Sequence, residues 1–323
     1  AEVLHPRAGS RGFQTTGVVG VIGAAAAASR LLGLDATLTE QAIGISASAG
    51  AGLFAYLTGG GNVKKLHQAH AAREGVYAAL IAKHGVVDGP LGVAETRCGI
   101  FHAFAGIEPG TWQPPANRRT ALAITRAYAK PYPCCRHIHP AIDGLFALAA
   151  EHRFTADEVV AIDVGTYGAA MPHATLGWDS FTVAQLSFPY VVAVALRTGR
   201  IALDSFSDAT RADPALAADA AKVNVALDAE CCEGYPRQGP ARVTVTRRDG
   251  RRHTIYVADP KGCPELPMSD DEMYAKFRMM VAGRLAAPDA DAIIERVGRL
   301  DAQPSIRPLV DALASARLQE IAA

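Results

Sequence analysis

The chain has few aromatic residues, no excess of charge of either sign and no cysteine spacing typical of a zinc site. Only 7% of the 323 residues are aromatic, so the apolar half of the composition leans on small side chains. Small apolar side chains favour closely packed helices. The 32 basic and 32 acidic residues cancel. This balance argues against nucleic acid or an anionic membrane surface as a partner.

Six cysteines occur, and they include two adjacent pairs, Cys134–Cys135 and Cys231–Cys232. Neighbouring cysteines rarely bridge each other, and no CxxC or Cys/His zinc spacing is present. The first residues also lack the basic and apolar regions of a signal peptide. We therefore expect a reduced, cytoplasmic protein with no disulfide framework and no metal.

One segment is apolar enough to raise the question of a membrane span. It runs from Gly17 to Leu34 and consists mostly of Ala, Gly and Val. Arg30 interrupts it, and it has no aromatic anchors at its ends. We interpret it as a buried core helix and predict no membrane insertion.

Helical patterns account for most of the chain. Thr15 or Thr16 is expected to cap the first of the long helices, and Asn62 the third. The predicted helices cover residues 17–34, 39–53, 63–84, 139–151, 182–196, 270–285, 289–299 and 306–318.

A change of period marks a different part of the chain. Strands are predicted for residues 159–165, 241–246 and 253–257, and Asp249–Gly250 between the last two is a strong hairpin signal. The predicted fold class is mainly α. A multi-helical domain formed by residues 1–152 and 263–323 would carry an inserted, smaller α+β lid domain at residues 153–262.

A glycine run precedes the third long helix. It spans residues 59–61, and Lys64 and His67 follow within the first helical turns, three residues apart on one face. Glycines let the backbone approach a ligand, and a helix start offers N–H groups and a positive dipole end. The pattern indicates a carboxylate-binding pocket. The alternative is a solvated first turn behind a flexible loop.

The densest group of titratable side chains lies at residues 130–143, which read KPYPCCRHIHPAID. A rigid Pro-aromatic-Pro turn opens there into an Ala/Leu-rich helix, as at many small-anion sites. Arg136 could bind a carboxylate through two hydrogen bonds or form a structural salt bridge. Cys134 and Cys135 are interpreted as packing residues because nothing supplies an activating base. His137 is expected to be exposed or to lie behind the site.

These motifs resemble those of the MmgE/PrpD family, which includes 2-methylcitrate dehydratase, cis-aconitate decarboxylase and iminodisuccinate epimerase. Residues 64–75 fit its K-x-L-H-x-x-x-A-A-x-x-G motif, and residues 130–143 fit its Cys-Cys-Arg-x-x-His signature. The resemblance implies that Lys64 and His139 are active-site residues. For His139, the alternative is a histidine held by backbone at a helix start.

Two further elements of the family are matched less closely. Gln14 stands where the family has an active-site histidine, and glutamine can bind a carboxylate but cannot transfer a proton at neutral pH. Residues 185–190 resemble the family's F-S-x-P-Y element. Ser187 and Tyr190 could therefore donate to substrate, or could simply form a helix start with buried aromatics.

Family members have a longer N-terminal part with an H-A-x-D-x-D-D-T/S-H type motif, which does not occur here. We expect this polypeptide to be a homo-oligomer or to need a second chain that supplies those elements. In their absence, apolar helix faces at residues 18–32 and 42–53 would lack a covering layer.

The resemblance implies a cofactor-free lyase or isomerase that moves a proton next to a carboxylate of a small di- or tricarboxylate. His139 and Lys64 would be catalytic, whereas Gln14, His67, Arg136, Tyr190 and Ser187 would bind substrate. Dehydration, decarboxylation and epimerisation all stay open. One alternative is an impaired subunit of a split enzyme. The other is a cysteine-dependent hydrolase that uses Cys135 with His139 or His137.

Overall fold

The computed structural model describes residues 3–112 and 122–315, and its contacts divide the chain into two compact units, residues 1–120 and 121–323. The structure is mainly helical with one small mixed sheet, which confirms the predicted class. None of the described helices is long and apolar enough to cross a membrane. In the first unit the helices are α1 His5–Ser10, α2 Thr15–Leu31, α3 Ala36–Ala47, α4 Tyr56–Gly59, α5 Lys64–Lys83 and α6 Ile100–Ala105.

The second unit contains the remaining helices and the sheet. Its helices are α7 His139–His152, α8 Phe181–Ala184, α9 Phe188–Thr198, α10 Asp208–Arg211, α11 Pro214–Ala220, α12 Ala229–Gly234, α13 Asp270–Val281, α14 Ala287–Gly298 and α15 Arg307–Ser315. Its strands are β1 Val159–Thr166, β2 Val223–Leu227, β3 Ala241–Arg247 and β4 Arg252–Val257. Short 3-10 helices cover Ala123–Arg126, Arg136–Ile138, Ala156–Glu158, Gly168–His173, Leu203–Phe206 and Leu300–Ala302.

The core of the first unit is the contact of α2 with α5, and it is built from small residues. A Cβ atom added at Gly75 of α5 would lie 2.4 Å from the Cβ of Ala24 and 2.6 Å from the backbone nitrogen of Ala25. One added at Gly20 of α2 would lie 2.9 Å from the Cβ of Ala71. The two helices therefore approach each other closely because these positions carry almost no side chain.

Part of the surface that was expected to lack a covering layer is buried within this unit. Val18 and Val21 of α2 and Ala42 of α3 are buried. Leu31 and Leu53 remain exposed, at 88% and 55%. The predicted buried core helix near the N-terminus is thus present as α2, although Leu31 at its end is exposed.

The sheet of the second unit has the strand order β2-β1-β3-β4. β1 is parallel to β2 and antiparallel to β3, and β3 and β4 form the predicted hairpin. Helix α7 packs against β3 and β4. It can do so because Gly144 faces the sheet, where an added Cβ would lie 2.9 Å from a methyl group of Val243.

The apolar face of α7 is buried against the sheet, and the two compact units divide at residue 120. The division into a helical domain at residues 1–152 and 263–323 and an inserted lid domain at residues 153–262 stays a prediction.

Several element boundaries differ from the expectations. α3 begins at Ala36, capped by Asp35, and ends at Ala47 rather than at Leu53. The predicted helix at 182–196 is two helices, because Ser187 caps a new helix that has proline in its first turn. Strand β2 was not predicted, since its five residues are too few for a clear alternation. Of the last predicted helix, residues 316–318 lie outside the described residues.

We expect Gly75→Ala to lower the free energy of unfolding by about 1–3 kcal/mol, as overpacking of a tight contact does. The matched control is Gly23→Ala in α2, where an added Cβ meets nothing within 4 Å. That change should be neutral or stabilise the protein by up to about 1 kcal/mol because alanine is the better helix former. Urea unfolding of both variants checks this, and equal effects would contradict the packing argument.

Candidate functional site

A short backbone bridge sets the position of Gln14. Phe13 pairs with Leu53 in an antiparallel bridge, and the Gln14 amide donates to the carbonyl of Gly52 at 3.0 Å. The Gln14 side chain is itself the N-cap of α2, because its Oε1 accepts from the Gly17 amide at 3.0 Å. The prediction that Thr15 or Thr16 caps this helix is therefore wrong.

At Gly52 the backbone of this bridge lies in contact with the His67 ring. The φ angle of Gly52 is +133°, and an added Cβ would lie 3.3 Å from the Nδ1 atom of His67 and 3.4 Å from the carbonyl oxygen of Gln14. Both the backbone conformation and the lack of space require glycine here.

His67 is the buried polar group of this region. It is 8% exposed, and its Nδ1 atom has no hydrogen-bond partner among the described residues. Burial, and to a smaller extent the neighbouring His70, lower its pKa below the ordinary value of 6.5. The imidazole is therefore neutral at pH 7 and has an unused polar atom, which a buried group rarely keeps without a ligand.

A cavity of about 570 Å³ lies beside His67, and Gly17, Gly52 and Tyr56 also line it. This volume is in the range of small-molecule sites. Among its described lining residues Glu74 is the single acid, and its Oε1 accepts from Arg73 Nε at 2.7 Å. The charged lining residues Arg73 and Glu74 thus pair with each other, and Tyr56, His67 and His70 add a hydroxyl and two imidazoles.

Lys64 lies next to this cavity. It is the first residue of α5, and its Nζ atom is 5.8 Å from the ring centroid of Tyr56. Lys64 is half-buried, whereas Lys65 is exposed. The N-cap of α5 is Val63, which provides no side-chain cap, rather than the predicted Asn62. The first unit therefore brings together Lys64, His67 and the backbone around Gln14.

The 130–143 region forms the turn and helix start that its sequence predicts, in the second unit. The Tyr132 hydroxyl donates to Oδ1 of Asp143 at 2.7 Å, and the Lys261 amide donates to Oδ2 at 2.7 Å. Through these two hydrogen bonds, Asp143 of α7 links the turn at Tyr132 and the loop at Lys261 to the helix. Burial raises the pKa of Asp143, although these two donors and Arg136 oppose the shift.

Arg136 also forms hydrogen bonds with the loop at Lys261. Its guanidinium donates to the carbonyls of Pro260 and Lys261 at 3.2 and 3.3 Å and lies 4.7 Å from the ring centroid of Tyr128. Two of its donors are thus engaged with backbone, and the contact of Arg136 with a substrate carboxylate stays a prediction.

His139 is the first residue of α7 and is fully buried. Neither ring nitrogen has a partner among the described residues at the distance and angle of a normal hydrogen bond. Burial, with the positive charges of Arg136 and Lys130, lowers its pKa to about 3, and the backbone of Cys134 opposes the shift. His139 is therefore a neutral imidazole at pH 7.

Ser187 and Tyr190 are both fully buried in the second unit. The Ser187 hydroxyl donates to the carbonyl of Leu176 at 2.7 Å and caps α9. The Tyr190 hydroxyl donates to the carbonyl of Ser205 at 2.6 Å. Both hydroxyls thus serve the core, which fits the alternative interpretation of a helix start with buried aromatics.

Sequence reasoning missed a group around His137. The Nδ1 atom of His137 is 2.7 Å from the Tyr167 hydroxyl, and its ring stacks on that of His173. Cys135 belongs to this group as well. The described residues contain one other group with metal-ligand side chains close together, namely Asp259, Cys263 and Glu265.

Comparison with known proteins agrees with the division into two units. Residues 2–113 match the MmgE/PrpD N-terminal domain, and residues 132–302 match the MmgE/PrpD C-terminal domain. The chain belongs to the MmgE/PrpD family. The helical unit with Lys64 and His67 therefore corresponds to the family's N-terminal domain, and the unit with His139 to its C-terminal domain.

Curated MmgE/PrpD relatives carry names of decarboxylases. The cis-aconitate decarboxylase-like protein oryM of Aspergillus oryzae is 30% identical over 93% of this chain and 65% of its own length. Cis-aconitate decarboxylase of Aspergillus terreus is 26% identical over 94% of this chain and 65% of its own. The human cis-aconitate decarboxylase is 26% identical over 90% and 60%. The chain thus spans less than two thirds of the length of these relatives.

We expect Asp143→Ala to lower the free energy of unfolding by about 1–3 kcal/mol, because two partly buried donors lose their acceptor. Glu151→Ala on the same helix is the control, since its side chain is 71% exposed. That change should stay within about 0.5 kcal/mol of the parent. Urea unfolding compares the two, and a silent Asp143→Ala would show that the carboxylate does not hold the turn.

Proposed function

We propose that the chain belongs to a lyase or isomerase that moves a proton at a carbon next to a carboxylate of a small di- or tricarboxylate. The observation that carries the proposal is the cavity beside His67 in the first unit. It combines a volume of about 570 Å³ with a neutral imidazole whose Nδ1 has no partner. The names of the curated relatives, which specify decarboxylation of a tricarboxylate, support the same substrate class.

In this proposal Lys64 and His67 bind substrate carboxylates. The ammonium group of Lys64 supplies positive charge beside Tyr56, and the helix start of α5 adds its dipole. Charge that develops on a carboxylate as the neighbouring C–H or C–C bond breaks would be stabilised by the same groups.

Gln14 has a structural role in this proposal rather than the proton-transfer role of the histidine at the matching family position. Its Oε1 is engaged at the start of α2, and its amide cannot act as a general acid or base at neutral pH. We infer that it positions the backbone against Gly52 and that proton transfer falls to a histidine.

His139 is the histidine that we propose for proton transfer, on the family signature and on its neutral state. A neutral imidazole can accept a proton without first losing one, and the approach of a polyanion would raise its pKa towards the working range. Since His139 is fully buried, the segment around it would have to open for this step.

We expect Lys64→Ala to lower turnover by about 10²-fold or more, as loss of an electrostatic stabiliser does. Lys65→Ala is the matched control, because Lys65 is the exposed neighbour on the same turn. The assay offers citrate-like, aconitate-like and aminodicarboxylate compounds in deuterated water and follows deuterium entry into C–H positions. Equal losses from both variants would defeat the assignment. Absence of exchange and turnover with every compound would contradict the proposed function itself.

We expect His139→Gln to lower turnover by about 10²–10⁴-fold, the usual contribution of a general acid or base. His152→Gln on the same helix should leave turnover unchanged, since its imidazole lies at the other end of α7 from His139, where it contacts Glu151 and His253. Circular dichroism and the melting temperature establish that both variants fold. A folded His139→Gln variant with parental turnover would exclude His139 from the reaction.

A further inference from the structure

Three side chains with metal-binding atoms lie close together in the second unit, and none of them belongs to the residues given a role in the proposed reaction. Cys135 precedes the short helix Arg136–Ile138, His137 lies within it, and His173 ends the short helix Gly168–His173. One ligand atom from each residue lies within 4.8 Å of the others. Cys135 and His173 are buried and His137 is half-buried, so the group sits at the edge of the core.

The distance between the thiol and the imidazole has the value that a shared metal ion would require. The Sγ atom of Cys135 is 3.6 Å from the Nε2 atom of His173. In a tetrahedral zinc site, with Zn–S of about 2.3 Å and Zn–N of about 2.0–2.1 Å, neighbouring sulfur and nitrogen ligands are about 3.6 Å apart. The pair therefore needs little rearrangement to bind such an ion.

The surroundings of His137 resemble the second layer of a metal site. Its Nδ1 atom is 2.7 Å from the Tyr167 hydroxyl, and the Tyr167 ring stacks on that of Tyr235 at 4.2 Å. A histidine that binds a metal usually fixes its ring by a hydrogen bond from the other nitrogen. Tyr167 can serve as that partner, with Nε2 of His137 turned to the ion.

We propose that Cys135, His137 and His173 form a binding site for one divalent transition-metal ion of intermediate softness, such as Zn²⁺. Binding converts the Cys135 thiol to a thiolate and releases its proton to solvent, and no oxidation or reduction is involved. Three protein ligands leave a coordination position for water or for a carboxylate oxygen. The Asp259, Cys263 and Glu265 group is the weaker candidate, because two of its ligands are carboxylates and Glu265 is exposed.

Co²⁺ titration of the chelator-treated full chain tests the proposal. We expect one equivalent of Co²⁺ to produce a thiolate-to-cobalt charge-transfer band together with the intense visible bands of tetrahedral cobalt. Cys135→Ser should abolish the charge-transfer band, and His173→Gln should abolish the tetrahedral bands. Tyr167→Phe should keep both bands and weaken Co²⁺ affinity by about 10–100-fold, as loss of a second-layer partner does.

Cys134→Ser and Cys263→Ser are the matched controls, because each removes a buried thiol outside the proposed ligand set. Both should retain the full spectrum. The proposal is overturned if the parent chain shows no charge-transfer band. It is equally overturned if Cys263→Ser removes the band. If Cys135→Ser fails to fold, His173→Gln and Tyr167→Phe decide, and parental Co²⁺ affinity in both contradicts the site.

Discussion

The arrangement of the first unit depends on how closely α2 and α5 approach each other. Gly20 and Gly75 leave no room for a side chain at this contact, because an added Cβ would lie within 3 Å of Ala71 at Gly20 and of Ala24 at Gly75. His67 lies one turn before Ala71 on the same face of α5, so the helix contact also fixes the imidazole against Gly52. The family motif that ends in Ala71 and Gly75 is therefore a packing motif as much as a catalytic one.

An analogous constraint operates in the second unit. Gly144 lets α7 lie on the hairpin of β3 and β4, and Asp143 fastens the preceding turn and the loop at Lys261 to the same helix. Burial of this helix start makes His139 a neutral residue with a pKa of about 3. Desolvation, rather than a paired carboxylate, thus determines the protonation state of His139.

The sequence predicted elements where local signals are strong. The long helix after the glycine run, the Asp249–Gly250 hairpin and the helix from His139 were all expected, because period, caps and turn residues agree there. Features that depend on distant residues were missed. Strand β2 pairs with β1 from sixty residues away, and His173 reaches Cys135 across 38 positions. The helix cap formed by the Gln14 side chain was also missed, and the predicted contact of Gln14 with substrate stays a prediction.

The proposed function requires the cavity beside His67 to bind a small polycarboxylate. Histidine ring signals in NMR measure this binding, with the His67 signal assigned by comparison with His67→Gln and an unreactive tricarboxylate such as propane-1,2,3-tricarboxylate as the ligand. We expect a His67 pKa below 6.5 before the ligand is added and a clear rise at saturation, because a nearby anion favours the imidazolium form. The ring signals of the exposed His84, at the end of α5, should not shift when the ligand is added. An unchanged His67 pKa at saturating tricarboxylate would show that the cavity does not bind it.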